Sequence, residues 1–145
     1  MFNEKDLMRN PFMTNEKFAQ QYDFLKEEGE FDRILKILTV PSKSGIYLSR
    51  FDIRKIGLTL GVQVISRERK EMLKDIFFYA KQLNKMKEFL DLLIEYTNMK
   101  IAQYRELQET FPKTKDIIQG WIDKAERLIK FIENLKKEVD IYKVV

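Results

Sequence analysis

Apolar residues recur every seven positions through the second half of the chain, in two runs separated by a proline. In the first run one row is Ile76, Leu83, Leu90, Thr97 and Tyr104. A second row, offset by three, is Tyr79, Met86, Leu93, Lys100 and Leu107. In the second run the rows are Ile118, Ala125, Ile132 and Val139, and Trp121, Leu128, Leu135 and Tyr142. A seven-residue period with a three-residue offset is the seam of paired helices. No glycine or proline falls between Arg67 and Glu109. The pattern therefore predicts a long helix over 66–109, N-capped by Ser66 and about 65 Å long if unbroken. A turn over 110–114 and a second helix over 115–143 follow, with Pro112 suited to the first turn of the new helix.

The two registers agree when the chain is folded at Pro112-Lys113. Leu107 falls opposite Ile118, Tyr104 opposite Trp121, Lys100 opposite Ala125, and Leu93 opposite Ile132. Leu90 falls opposite Leu135, Met86 opposite Val139, and Leu83 opposite Tyr142. Each pairing joins one row type to the other, as an antiparallel coiled-coil-like hairpin requires. Lys100 meets the smallest partner, which leaves its stem a path to water. The second helix runs out near Tyr142, so Met72, Leu73, Ile76, Phe77 and Phe78 remain for other elements to cover.

Those elements come from residues 1–65, read as a head of short helices. Asn10-Pro11 ends a first helical turn. A helix capped by Thr14 or Asn15 carries Phe18, Tyr22 and Leu25 and ends at Gly29. The next, over 30–39, carries Phe31, Ile34, Leu35 and Leu38 and stops at Pro41, and residues 41–45 form a loop. Ser49 with Asp52 resembles a capping box opening a helix over 50–60, with Ile53, Ile56 and Leu60 inward. Gly57 within it costs about 1 kcal/mol against alanine, which predicts close approach of a neighbouring helix. Val62-Gln63-Val64-Ile65 reads as an extended link, with a two-stranded pairing to Ile46-Tyr47-Leu48 as the alternative. The fold class expected is all-α: a single domain, 1–145, made of a head and a long antiparallel hairpin.

Composition narrows the chemistry. The 145 residues suffice for one packed core. The chain has no cysteine, which excludes disulfides, thiolate metal sites and cysteine nucleophiles. It has no histidine either, which removes the commonest general base and transition-metal ligand. No catalytic, metal or cofactor site is expected. Glu88, Asp91 and Glu95 share helical spacing but occupy outward positions, where carboxylates are solvated. The N-terminus lacks the basic and apolar pattern of a leader, and runs such as residues 76–80 are far too short to span a bilayer. The expectation is a cytoplasmic protein with no membrane partner. Abundant Lys, Glu and Ile without Cys is compatible with a thermophilic source.

Two surfaces compete for function. Ile94 and Ile101 lie beside the seam on the first helix, and Ile122 and Ile129 beside it on the second. A two-helix seam leaves such positions exposed, so they predict an interface with a second copy or another protein. The opposing reading is that the N-terminal segment folds back and covers them. The favoured function is a non-catalytic interaction module (an adaptor, assembly factor or chaperone-like protein), with homodimerisation expected.

The second surface is basic. The net charge is +4, yet residues 50–87 hold ten basic side chains against four acids, so that stretch is +6 and the remainder −2. Within it, residues 56–63 (Ile-Gly-Leu-Thr-Leu-Gly-Val-Gln) resemble the helix-turn-helix core of many DNA-binding repressors. Gly57 stands at the small-residue position and Gly61 at the turn. The resemblance implies nucleic-acid binding, with Arg50, Arg54, Lys55, Arg67, Arg69, Lys70 and Lys74 as phosphate contacts. The chain departs from the pattern at Arg67 and Lys70, where the recognition helix needs buried apolar residues. The competing reading is a solvated basic face with Glu68, Glu71 and Asp75 interleaved.

Overall fold

The protein is all-α. The computed structural model describes residues 28–144, and among them six α-helices follow one another. These are α1 (Glu28–Thr39), α2 (Pro41–Ser44), α3 (Arg50–Thr59), α4 (Arg69–Gln82), α5 (Met86–Thr110) and α6 (Lys115–Val144). A 3-10 turn, Pro112–Thr114, joins the last two. The helical segments expected before residue 28 lie outside the described residues. Gly29, expected to end one of them, sits in the first turn of α1.

Local chemistry explains most of the boundaries. Pro41 cannot continue α1 but suits the first turn of α2, which Gly45 closes at φ +82° with its N–H on Pro41 O at 2.8 Å. α3 opens on the expected capping box. The Asp52 N–H donates to Ser49 Oγ at 3.0 Å, and the Ser49 N–H donates to Asp52 Oδ2 at 3.1 Å. Gly57 does have a close neighbour, but it is chiefly the link after α3. A Cβ there would lie 2.8 Å from Val64 Cγ2 and 3.1 Å from Val62 O, with Ile76 of α4 at 3.4 Å. Val62 and Val64 turn inward while Ile65 is exposed. No strand pairing forms between this link and residues 46–48 among the described residues.

The long helix expected over 66–109 is two helices. α4 ends at Gln82 and α5 begins at Met86. Asn84, at φ +59°, stands at the break. The Lys85 N–H reaches Ala80 O at 2.7 Å and the Asn84 N–H reaches Lys81 O at 3.3 Å. This is a Schellman stop with asparagine in the left-handed position, which Asn adopts more readily than other non-glycine residues. Nor does Ser66 cap the first part: α4 starts at Arg69 with Glu68 as its N-cap residue. Tyr79 and Leu83, placed in the seam rows by the period, are exposed beside the break.

Beyond the break α5 and α6 run antiparallel. Gln108 Nε2 donates to Lys115 O and Gln119 Oε1 near the connection, Arg105 pairs with Glu126 at 3.2 Å, and Asp91 pairs with Lys136 further along. Leu90, Leu93 and Thr97 of α5 are buried, as are Ile118, Ala125, Leu128, Ile132 and Leu135 of α6. The Thr97 hydroxyl donates to Leu93 O at 2.8 Å, which lets a polar residue sit in an apolar row. The head joins this pair through one continuous core. Met72, Leu73, Ile76 and Phe77 of α4 are wholly buried, and Phe77 meets Phe89 of α5 edge-on at 4.7 Å.

Candidate interaction surface

The isoleucine stripe is not a free surface. Ile122 and Ile101 are buried, and Ile94 and Ile129 are half-buried against the core. The chain itself folds back here. The turn after α2 lies on the backbone of α6, where a Cβ on Gly45 would stand 2.5 Å from Trp121 O and 2.9 Å from Ala125 N. The Tyr104 hydroxyl donates to Gly45 O at 2.6 Å. This fastens residues 40–48 along the half of the α5–α6 pair nearest its connection. The expectation of exposure failed because a seven-residue period identifies a face without saying what lies on it.

The basic residues do not form one face. Arg67 Nη2 donates to both carboxylate oxygens of Asp75, at 2.9 and 2.8 Å, and Arg50 Nε donates to Arg67 O at 2.7 Å. Arg69 turns into the fold. Its Nε donates to Leu48 O at 2.7 Å, its Nη2 to Thr39 O at 3.1 Å, and its guanidinium stacks 4.4 Å from the Tyr47 ring. Lys70 and Lys74 are half-buried, leaving Arg54 and Lys55 exposed on α3. The helix-turn-helix geometry is also absent. Gly61 does turn, at φ +85°, but residues 60–68 separate α3 from α4, whereas the motif joins its helices by three or four residues. The link is long because Val62 and Val64 must first reach the core.

A polar cluster that the sequence did not signal ties α3 to α5. The Tyr96 hydroxyl lies 2.7 Å from Asp52 Oδ2 and 3.1 Å from Tyr47 O. Burial pushes the Asp52 carboxyl up. Hydrogen bonds from Tyr96 and from the Ser49 N–H and hydroxyl, with the Lys100 charge nearby, outweigh this and hold it below the usual value. Burial first, and the Asp52 carboxylate second, push the Tyr96 phenol well above its ordinary value. Burial raises Tyr104 as well. Lys100, assigned to the seam, instead stands over the Tyr96 ring at 5.5 Å. Glu88, Asp91 and Glu95 are exposed along α5, and no group of three or more metal-ligating side chains forms among the described residues.

One apolar surface among the described residues lies at the closed end of the α5–α6 pair. Leu107 and Trp121, both assigned to the seam, are substantially exposed. Phe111 and Ile117 are more so, at 56% and 64%. Leu107 and Phe111 stand one helical turn apart, linked by the Phe111 N–H on Leu107 O at 2.8 Å. Ile117 and Trp121 are likewise one turn apart, and the Trp121 ring packs on Tyr104 at 5.5 Å. The sequence signal for this patch was Phe111 and Ile117, large apolar residues in and just after a polar turn. No helix among the described residues is long and apolar enough to cross a membrane. No family model, curated protein or solved structure matches the chain.

Proposed function

We propose that the chain is a non-catalytic, cytoplasmic protein-interaction module that pairs with a second copy through the closed end of α5 and α6. The observation that carries this is the exposure of Leu107, Phe111, Ile117 and Trp121 together at one end. Scattered apolar residues are ordinary on a surface, whereas a group rimmed by charge marks an interaction site. Arg105, Lys113 and Lys115 stand around it with Glu106, Glu109 and Asp116, all exposed. Arg105 is engaged by Glu126 of its own chain, and the remaining charges of both signs suit a two-fold contact, in which a cation of one copy can meet an anion of the other.

Sedimentation velocity at micromolar concentrations tests the reading. The chain is expected to sediment as a dimer, and Phe111→Glu/Ile117→Glu as a monomer with unchanged helical circular dichroism. A monomer throughout, or a dimer untouched by the double substitution, overturns it.

A further inference from the structure

α3 carries a second, outward apolar line. Ile53, Ile56 and Gly57 face the core. Phe51 and Leu58, seven residues apart and so on one line of the helix, point outward and are 72% and 61% exposed. Arg54 flanks this line on one side. On the other, Lys55 lies toward Phe51, its Nζ 6.0 Å from the ring centroid, so that its methylenes extend the apolar band.

At Lys55 the surface drops into a groove of about 290 Å3 between α3 and α5, lined by Ile56, Thr59, Leu92 and Met99 together with the charged Lys55 and Glu95 and the Asp52–Tyr96 pair. It adjoins a second groove of about 300 Å3, with Thr59, Leu92 and Glu95 common to both, and Glu88 and Asp91 border the second. Asp91 is held by Lys136, and Glu88 and Glu95 are exposed. Across the face the order is therefore Arg54, the apolar line, Lys55, then a groove that Glu95 also lines, with Glu88 beyond it.

That order decides the class of partner. An anionic bilayer or a nucleic acid laid on Arg54 and Lys55 would bring its phosphates toward Glu88 and Glu95, and like charges repel there. A concave, side-chain-sized groove beside a protruding aromatic is instead the relief that receives the anchors of a helix. We infer that this face docks an amphipathic helical segment of another protein. The segment has one apolar stripe, acidic residues along the edge that meets Arg54, and basic residues along the edge that meets Glu88 and Glu95. This site is separate from the closed end of α5 and α6 and does not rest on self-association there.

Selection of binders to the full chain from a displayed library of helical peptides tests the inference. The enriched sequences are expected to carry that stripe with acid on one edge and base on the other. Phe51→Ser/Leu58→Ser is expected to weaken a selected peptide about tenfold or more. Arg54→Glu is expected to weaken it too, with recovery when the acids of the facing edge are exchanged for lysine. Arg54 is exposed, so this charge exchange serves even if the double substitution fails to fold. Four results overturn the inference: no enriched pattern, selected peptides indifferent to both variants, loss in the same variants of binding to phosphatidylglycerol vesicles or an oligonucleotide instead, or loss of self-association. Phe111→Glu/Ile117→Glu leaves peptide binding unchanged, so each reading fails separately.

Discussion

The Tyr96 hydroxyl on α5 and the Asp52 carboxylate that caps α3 lie 2.7 Å apart, 44 residues distant in sequence. Asp52 thus serves twice, closing the capping box with Ser49 and accepting the phenol that fixes α3 against α5. Tyr96→Phe removes one hydrogen bond to a charged acceptor. It is expected to cost about 1.5 kcal/mol, the low end for such bonds because the site is only half-buried. Urea unfolding at neutral pH measures it.

The same pair makes stability depend on pH at both ends. The folded Asp52 carboxyl titrates below its ordinary 3.8, so its contribution is full above that value and is lost as pH falls through the folded pKa. The folded Tyr96 phenol titrates above its ordinary 10.0, so its contribution is full below 10.0 and drains as pH rises beyond it. Asp52→Asn is expected to flatten the acid limb of a stability profile, and Tyr96→Phe to reduce the alkaline limb, leaving the smaller part due to Tyr104.

Asn84 is left-handed at the end of α4, so side chains there act through backbone strain. Asn84→Gly is expected to leave stability unchanged or raise it by a few tenths of a kcal/mol, and Asn84→Ala to lower it by about 1 kcal/mol, despite alanine's greater helix propensity. Thermal unfolding of the two variants checks the ordering.

At Gly45 both conformation and space exclude a side chain, since φ is +82° and a Cβ would meet Trp121 O at 2.5 Å. Gly45→Ala is expected to cost about 3 kcal/mol. Gly57→Ala should cost less, because its gain in helix propensity of about 1 kcal/mol offsets part of the contact with Val64 and Val62. Chemical denaturation of both proteins tests the difference.

Arg69 spans two carbonyls, Leu48 O and Thr39 O, from one guanidinium. Arg69→Ala is expected to lose about 2 kcal/mol, and Arg69→Lys to recover less than half, because an ammonium cannot hold both acceptors in the same fork. A loss of stability in Arg69→Ala without any change in salt-sensitive oligonucleotide retention would confirm that this cation is structural.

What the sequence determined alone was whatever neighbours in the chain decide. Helical periodicity sets the all-α class, Ser49 and Asp52 open α3 three residues apart, Pro112 marks the connection and the start of α6, and the apolar rows mark its end within a residue or two. Tertiary structure decided the rest. The stop at Asn84 has no glycine or proline to announce it, because asparagine enters the left-handed region only when the following segment must turn away. Arg69 reads as a surface cation until acceptors 21 and 30 residues upstream come within reach. Ile101 and Ile122 read as exposed until the turn at Gly45 is laid across α6. A period shows which residues share a face, but burial of that face depends on free energy gained with segments far away in the chain, and only the folded arrangement brings them together.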